Sequence, residues 1–512
     1  MKLEIMDTTL RDGEQTSGVS FNAPEKLNIA KILLEEVKVD RIEVASARVS
    51  EGELEAVQKI TEWARENNYL ESIEILGFID KNASLDWIND AGGKVVNLLA
   101  KGSLKHVTEQ LRKTPEEHLA DLEAAIEYAT SKGIISNLYL EDWSNGMIHS
   151  PEYVYFLADA LKDTNLKRLM LPDTLGILNH EQTYEFCSKM LERYPDLHID
   201  FHAHNDYDLS TANVYASVRA GVQGIHTTVN GLGERAGNVP ISSVMGILND
   251  HLKVENNVDE SKLTKISRLV ESFSGIRVPE NKPLIGENVY TQTCGVHADG
   301  DSKNNLYFND LMPERFGRTR KYALGKTSGK ANIKKNLEEL GLNLDLEATK
   351  KVTQRIIELG DKKETVTTED LPYIISDVLG GIDLHQPIKV KSYALTLANG
   401  LRPIANIIIE INGEDYEESS IGDGQYDAFM KALWKIYTEH LGRERPILTD
   451  YIVTIPPGGK TDALVEAVIT WEFNEREFKT KALEADQTEA AIKATEKMLN
   501  IIERNHFNQD GL

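Results

Sequence analysis

Three side chains of metal-binding type stand in two distant segments. Asp12 closes the run Asp7-Thr8-Thr9-Leu10-Arg11-Asp12, and His202 and His204 form an i, i+2 pair in Phe201-His202-Ala203-His204-Asn205-Asp206. One carboxylate and two imidazoles can hold a divalent cation and leave positions open for substrate, as a catalytic metal needs. This donor set suits Zn, Mn, Co or Mg alike. Arg11 adds a fixed positive charge beside Asp12. A cation next to a guanidinium is suited to polarising a carbonyl and stabilising the oxyanion that forms from it.

For this chemistry to occur, residues 12 and 202 must meet. The first 250 residues alternate between short apolar runs and amphipathic stretches. Strands are predicted at 3–7, 41–45, 73–78, 95–100, 134–140, 168–171, 198–202 and 224–229. Helices are predicted after them at 24–37, 51–67, 84–91, 115–132, 151–162, 180–194, 209–220 and 240–252. Strict alternation implies a parallel sheet, and eight such units imply a (β/α)8 barrel, the TIM-barrel fold. A doubly wound open sheet is the alternative, but its usual glycine-rich first turn is missing. Polar residues collect at the predicted strand ends, where barrel enzymes place their active sites. Residues two apart in a strand point the same way, so His202 and His204 can converge on one ion.

Other segments fit the same mouth. Tyr139-Leu140-Glu141-Asp142 offers a carboxylate with a ring two residues before it. Leu171-Pro172-Asp173-Thr174 offers a hydroxyl for a substrate carboxylate. The loop containing Gly233, Glu234 and Arg235 is expected to open a helix whose backbone N–H groups bind anions, with Asn238 as a further oxygen ligand. Outside the barrel lies Cys294-Gly295-Val296-His297-Ala298-Asp299-Gly300, in a polar, glycine-rich stretch over 295–305.

The chain of 512 residues is long enough for several domains. Three are expected: the barrel over 1–255, helical linker subdomains over 256–383, and an α+β domain over 384–512. The last reads as one βββα unit used twice. Its strands are predicted at 388–397, 405–411, 416–420, 451–455, 464–473 and 478–483, and its helices at 426–441 and 487–504. A pseudo-symmetric pair of this kind suits a small-ligand site between the units. A formal net charge of −25 excludes nucleic acid as a main partner. No apolar run approaches a membrane span. Two cysteines make no disulfide framework, which fits a reducing, cytoplasmic setting.

The motifs DTTLRDGEQ, LPDT, HAHND and GLGERAGN, in this order, resemble the acyl-CoA-dependent Claisen-type synthases on a metal-dependent TIM barrel. These are the 2-isopropylmalate, homocitrate and citramalate synthases. The resemblance continues through GVHADG and FGRTRKYALGKTSGK into the tail. Within the family, RIEVASARVSEGELEAVQKI, YLEDWSNG, TQTCGVHADGDSKNNLY and IPPGGKTDALVE are most similar to the (R)-citramalate branch. Val44-Ala45-Ser46-Ala47-Arg48 lacks the Gly-Phe-Pro common in 2-isopropylmalate synthases, and the paired Glu often found after Asn238 is absent.

The resemblance implies a cytoplasmic acyltransferase that joins acetyl-CoA to pyruvate, on a route to isoleucine. The alternative is 2-isopropylmalate synthase acting on 2-oxoisovalerate. More distant alternatives are a 3-hydroxyacyl-CoA lyase and a non-catalytic amino-acid-binding protein. It implies that Asp12, His202 and His204 bind the metal with Asn238 close by, and that Arg11 holds the developing alkoxide. Thr174 would bind the substrate carboxylate and Glu141 would assist on the acetyl-CoA side. His297, with Asp299 and Tyr307, would transfer protons from the neighbouring subunit of a homodimer with shared active sites. Leu76, Leu99 and Tyr139 would wall the keto acid's side chain. The tail would sense isoleucine through Tyr426, Asp427, Tyr451, Ile455, Thr461 and Val465.

Overall fold

The computed structural model describes residues 2–510 except 302, 305, 341, 362–365, 380–387, 455–464 and 475. The eight predicted strands are present: β1 (Glu4–Asp7), β2 (Arg41–Ser46), β3 (Ile73–Phe78), β4 (Val95–Lys101), β5 (Ile135–Glu141), β6 (Leu166–Asp173), β7 (Ile199–Ala203) and β8 (Gly224–Thr227). They pair in parallel and in sequence order. The barrel closes where β1 meets β8, with Ile5 opposite Ile225 and Asp7 opposite Thr227. The fold is the expected TIM barrel followed by an α+β tail.

The outer helices start where their caps dictate. Asn22 and Glu25 form a reciprocal capping box for Ala23–Lys31, as do Thr114 and Glu117 for Pro115–Ser131 and Asn179 and Gln182 for His180–Arg193. Two of the predicted barrel helices change winding part-way. The α-helix ends at Lys31 and a wider π-type turn runs over Ile32–Val37, and Ile241–Ile247 passes likewise into Leu248–Leu252. Each ends on a left-handed residue, Lys38 or Lys253. A helix not predicted from the sequence covers Trp143–His149. Gly146 lets it lie against β4's end, since a Cβ there would stand 2.1 Å from the Gly102 carbonyl oxygen.

The barrel interior carries both apolar and charged layers. Met6, Leu76, Tyr139 and Met170 pack together with Leu99 against them. Further in, Arg41 pairs with Glu74 at 2.9 Å and with Asp200 at 2.6 Å, all three buried. Charges so deep persist only when paired, and removal of one partner costs about 3–5 kcal/mol.

The chain divides into two compact units, 1–291 with 308–320, and 292–307 with 321–512. In the second, the helices Lys330–Glu339, Leu346–Asp361 and Leu371–Leu379 enclose a core including Ile333, Val352, Ile356 and Leu371. The tail then repeats itself as read from the sequence. Ile388–Thr396, Ile404–Ile411 and Glu414–Ile421 form one antiparallel sheet, followed by the helix Gln425–Trp434. Ile447–Thr454, Val465–Phe473 and Arg476–Glu484 form the other, followed by Gln487–Asp510. Both first strands slip register at matching places, between Val390 and Ser392 and between Leu448 and Asp450. The two sheets and helices share one core, which includes Ile407, Phe429, Ile469 and Ile492.

Candidate metal centre and active site

The turn after β1 is held from several directions. The Asp12 and Gly13 N–H groups donate to the Thr8 carbonyl at 2.9 and 3.1 Å. Below it, the buried ammonium of Lys26 donates to the Leu10 carbonyl at 3.1 Å and pairs with Glu14 and Glu53 at 2.7 and 2.6 Å. Arg11 and Asp12 are thereby aimed inward. Asp12 Oδ2 lies 3.1 Å from Arg11 Nη1, 3.3 Å from His202 Nε2 and 3.8 Å from His204 Nε2. One ligand atom from each of Asp12, His202 and His204 lies within 4.8 Å of the others, and all three residues are buried.

The electrostatics suit a cation. Burial works to raise the Asp12 carboxyl, but Arg11 and the two imidazoles outweigh it and hold it well below the usual carboxylate range. Burial pushes His204 down to about 4 and lowers His202 as well, so both rings are neutral and can ligate near pH 7. Asp12 Oδ1 and Asn238 Oδ1 are buried without a hydrogen-bond partner. Such orphaned acceptors are uncommon in folded proteins, and a cation would satisfy both. The residues present therefore fit a divalent metal.

Asn238 owes its pose to the glycine loop. Its Nδ2 donates to the Leu232 carbonyl at 3.3 Å, which leaves Oδ1 free. A Cβ at Gly233 would stand 2.3 Å from that Nδ2, and one at Gly237, where φ is 85°, 2.0 Å from the Gly231 oxygen. β8 stops at Thr227, two residues short of the predicted end, and a tight turn over Val229–Gly231 with Asn230 at φ 61° follows. The next helix begins at Ile241, one residue from the predicted start at 240. The loop thus seats Asn238 just ahead of that helix. Glu234 and Arg235 are exposed on it. Arg235 donates to both Asp206 oxygens at 2.8 and 2.9 Å and to the Thr174 carbonyl at 2.7 Å, tying the loops after β6, β7 and β8 together.

Thr174 Oγ1 accepts from the Asp142 N–H at 2.8 Å, so its own proton remains available to a substrate carboxylate. Glu141 ends β5 and is in contact with Lys101, which ends β4. Tyr139 stands beside the candidate metal ligands. Its ring is edge-on to His202 at 6.0 Å, with the Arg11 guanidinium 5.8 Å from its centre. Leu76 and Leu99 pack on it from β3 and β4.

Two residues of the site were not singled out in the sequence. Glu43 on β2 is fully buried and accepts from Arg11 Nε at 2.6 Å, Thr8 Oγ1 at 2.7 Å and Asn97 Nδ2 at 2.8 Å. Burial raises its carboxyl, and these partners, led by Arg11, bring it below its ordinary value. Lys101 is the other. Each had a signal, a charge inside or closing an apolar strand of a barrel.

His297, Asp299 and Tyr307 lie in the second unit. The segment expected as an irregular stretch forms the short helix Gly295–Asp301. His297 and Tyr307 pack ring to ring at 4.3 Å, and Asp299 accepts from Lys303 at 2.6 Å. In the tail, Tyr426 and Tyr451 lie 5.4 Å apart, and the Tyr426 hydroxyl bonds Thr495 at 2.6 Å. Asp427 accepts from the Asp423 N–H at 2.8 Å and from Lys431 at 2.6 Å. Val465 opens a strand. Ile455 and Thr461 lie outside the described residues.

Residues 2–270 match the family model described as HMGL-like. The chain belongs to the HMGL-like family. Residues 284–364 match the homocitrate synthase post-HMGL domain-like model, and 365–503 the LeuA allosteric (dimerisation) domain. Among curated relatives, a candidate (R)-citramalate synthase of Methanopyrus kandleri is 36% identical over 84% of this chain and 83% of its own length. The (R)-citramalate synthase of Methanocaldococcus jannaschii is 32% identical over 98% of this chain and 100% of its own. The 2-isopropylmalate synthase of the same organism is 33% identical over 98% and 95%. HMGL-like enzymes of this kind are metal-dependent, and this chain is an acyltransferase of the acyl-CoA-condensing type. Among the described residues, no helix is long and apolar enough to cross a membrane.

Proposed function

We propose that the chain condenses acetyl-CoA with pyruvate to give (R)-citramalate and CoA. The observation that carries this reading is the packed wall of Leu76, Leu99 and Tyr139 against Arg11 and His202. Such a wall suits the methyl of pyruvate and crowds the isopropyl group of 2-oxoisovalerate. Overpacking costs of ~1–3 kcal/mol correspond to roughly 10–200-fold discrimination.

Asp12, His202 and His204, with Asn238, would hold a divalent cation, which supplies Lewis-acid polarisation of the keto group when bound. The Thr174 hydroxyl donates a hydrogen bond to the pyruvate carboxylate. Removal of a proton from the acetyl methyl, with Glu141 assisting, gives the nucleophile. Its carbon bonds to the keto carbon, and Arg11 stabilises the alkoxide until that oxygen is protonated. His297, with Asp299 and Tyr307, is the proposed proton-transfer group, supplied between two copies of the chain. Water then cleaves the thioester and releases the CoA thiol. The tail is the proposed regulatory domain, from about residue 384, with isoleucine as its effector.

The test is thiol release from acetyl-CoA with pyruvate, 2-oxoisovalerate and 2-oxoglutarate in parallel. Pyruvate is expected to give the highest kcat/KM, and Tyr139→Ser to raise the relative rate with 2-oxoisovalerate. Preference of the unaltered enzyme for 2-oxoisovalerate would instead favour the 2-isopropylmalate reading, which the relative at 33% identity supports.

A further inference from the structure

Tyr139 is held from the far side of the barrel. Its hydroxyl lies 3.0 Å from His226 Nδ1, across the interior from β5 to β8. His226 Nε2 lies 3.1 Å from Asp200 Oδ2, and Asp200 is paired with Arg41 at 2.6 Å. All four residues are buried. The wall residue thus ends a chain that runs down to the charged layer under the site.

The chain also has a direction. Asp200 pairs with a guanidinium, so it is a carboxylate and can only accept. His226 must then carry its proton on Nε2, which makes Nδ1 the acceptor of a neutral imidazole. The Tyr139 hydroxyl therefore donates to His226. Its single proton is committed away from the pocket, and the residue meets substrate as a ring. Gly224, beside Asp200 in the pairing of β7 with β8, leaves room for that carboxylate, since a Cβ there would stand 2.1 Å from Asp200 Oδ1.

We infer that His226 is a positioning residue for substrate selection: by accepting the Tyr139 hydroxyl it fixes the ring that limits the length of the keto acid's side chain. This rests on the pyruvate-pocket reading. A tyrosine freed from this bond can swing about χ1, and the wall loses its fixed edge. His226 itself need not touch substrate.

The experiment compares kcat/KM for pyruvate, 2-oxobutyrate and 2-oxoisovalerate in His226→Leu, His226→Asn, Tyr139→Phe, Tyr139→Ser and the Leu/Phe double variant. His226→Leu removes the acceptor, and Tyr139→Phe removes the donor without disturbing Asp200. Each is expected to lower the preference for pyruvate over 2-oxobutyrate about tenfold, mainly through KM for pyruvate. His226→Asn keeps an oxygen near the Nδ1 position and should restore most of the preference. The double variant should be no less selective than either single one, since both break the same bond. An unchanged preference in both His226→Leu and Tyr139→Phe, with an altered one in Tyr139→Ser, overturns the role of His226 and leaves the wall standing. No change in Tyr139→Ser removes the wall itself. If His226→Leu fails to fold, Tyr139→Phe decides alone.

Discussion

At the scale of single residues, the site depends on buried charges that hold one another. Arg11 faces Asp12 on one side and Glu43 on the other. Glu43 also orients Thr8 and, through Asn97, reaches Asn137 on β5. The guanidinium's direction is therefore fixed before substrate arrives, which is what transition-state stabilisation by a charged group requires. Glu43→Gln keeps the shape and removes the charge. It is expected to lower kcat by roughly 10–100-fold, with metal stoichiometry retained. Steady-state kinetics beside metal analysis check this, and loss of the metal would show that Glu43 supports Asp12 instead.

At the scale of elements, the end of β4 meets the helix Pro115–Ser131 through His118. The Lys101 N–H donates to His118 Nε2 at 3.5 Å, and His118 Nδ1 lies 2.7 Å from the Tyr153 hydroxyl, which donates onward to the Lys101 carbonyl at 3.1 Å. The ring is neutral in this network. Burial, then the charge of Lys113, pushes its pKa from 6.5 down to about 4. The unfolded chain therefore binds a proton that the folded one refuses. Stability from this residue is fully present above pH 6.5 and is lost as pH falls toward 4, by on the order of 3 kcal/mol at most. Tm measured between pH 7 and 4.5 should fall less steeply in His118→Gln than in the unaltered protein. Parallel curves would remove His118 as the source.

The same scale shows what the sequence could reveal. Alternation of period-2 and period-3.6 patterns located every barrel strand, and strand-end polarity brought Asp12, His202 and His204 to one mouth. Trp143–His149 escaped because a short buried helix with a central glycine has no amphipathic stripe. The π-type turns escaped because one widened turn scarcely alters the apolar spacing. Glu43 and His226 act across the interior, Glu43 on Asn97 of β4 and His226 on Tyr139 of β5. No local periodicity reports a contact between non-neighbouring strands.

At the scale of the whole molecule, the duplicated tail has a core of its own, separate from that of the barrel. Removing residues beyond about 385 should therefore leave the barrel folded. The shortened enzyme is expected to turn over acetyl-CoA and to be insensitive to isoleucine, the proposed inhibitor of the full chain. Thiol release with and without isoleucine, on both forms, decides the point; equal inhibition of the two would place the effector elsewhere.

The barrel is closed by β1 against β8, and the ion's proposed ligands come from the loop after β1, from the end of β7 and the turn beyond it, and, through Asn238, from the loop after β8. A cation at that mouth is thus a clasp on a ring, fastening the first strand to the last turns of the winding. Open the seam and the donors drift apart, so only the sealed barrel binds tightly. At a free concentration of about 100 times Kd, the clasp adds ~2.7 kcal/mol to the sealed form. Chelator-treated protein should melt several degrees lower, and its earliest hydrogen exchange should begin along the seam at Glu4–Asp7 and Gly224–Thr227.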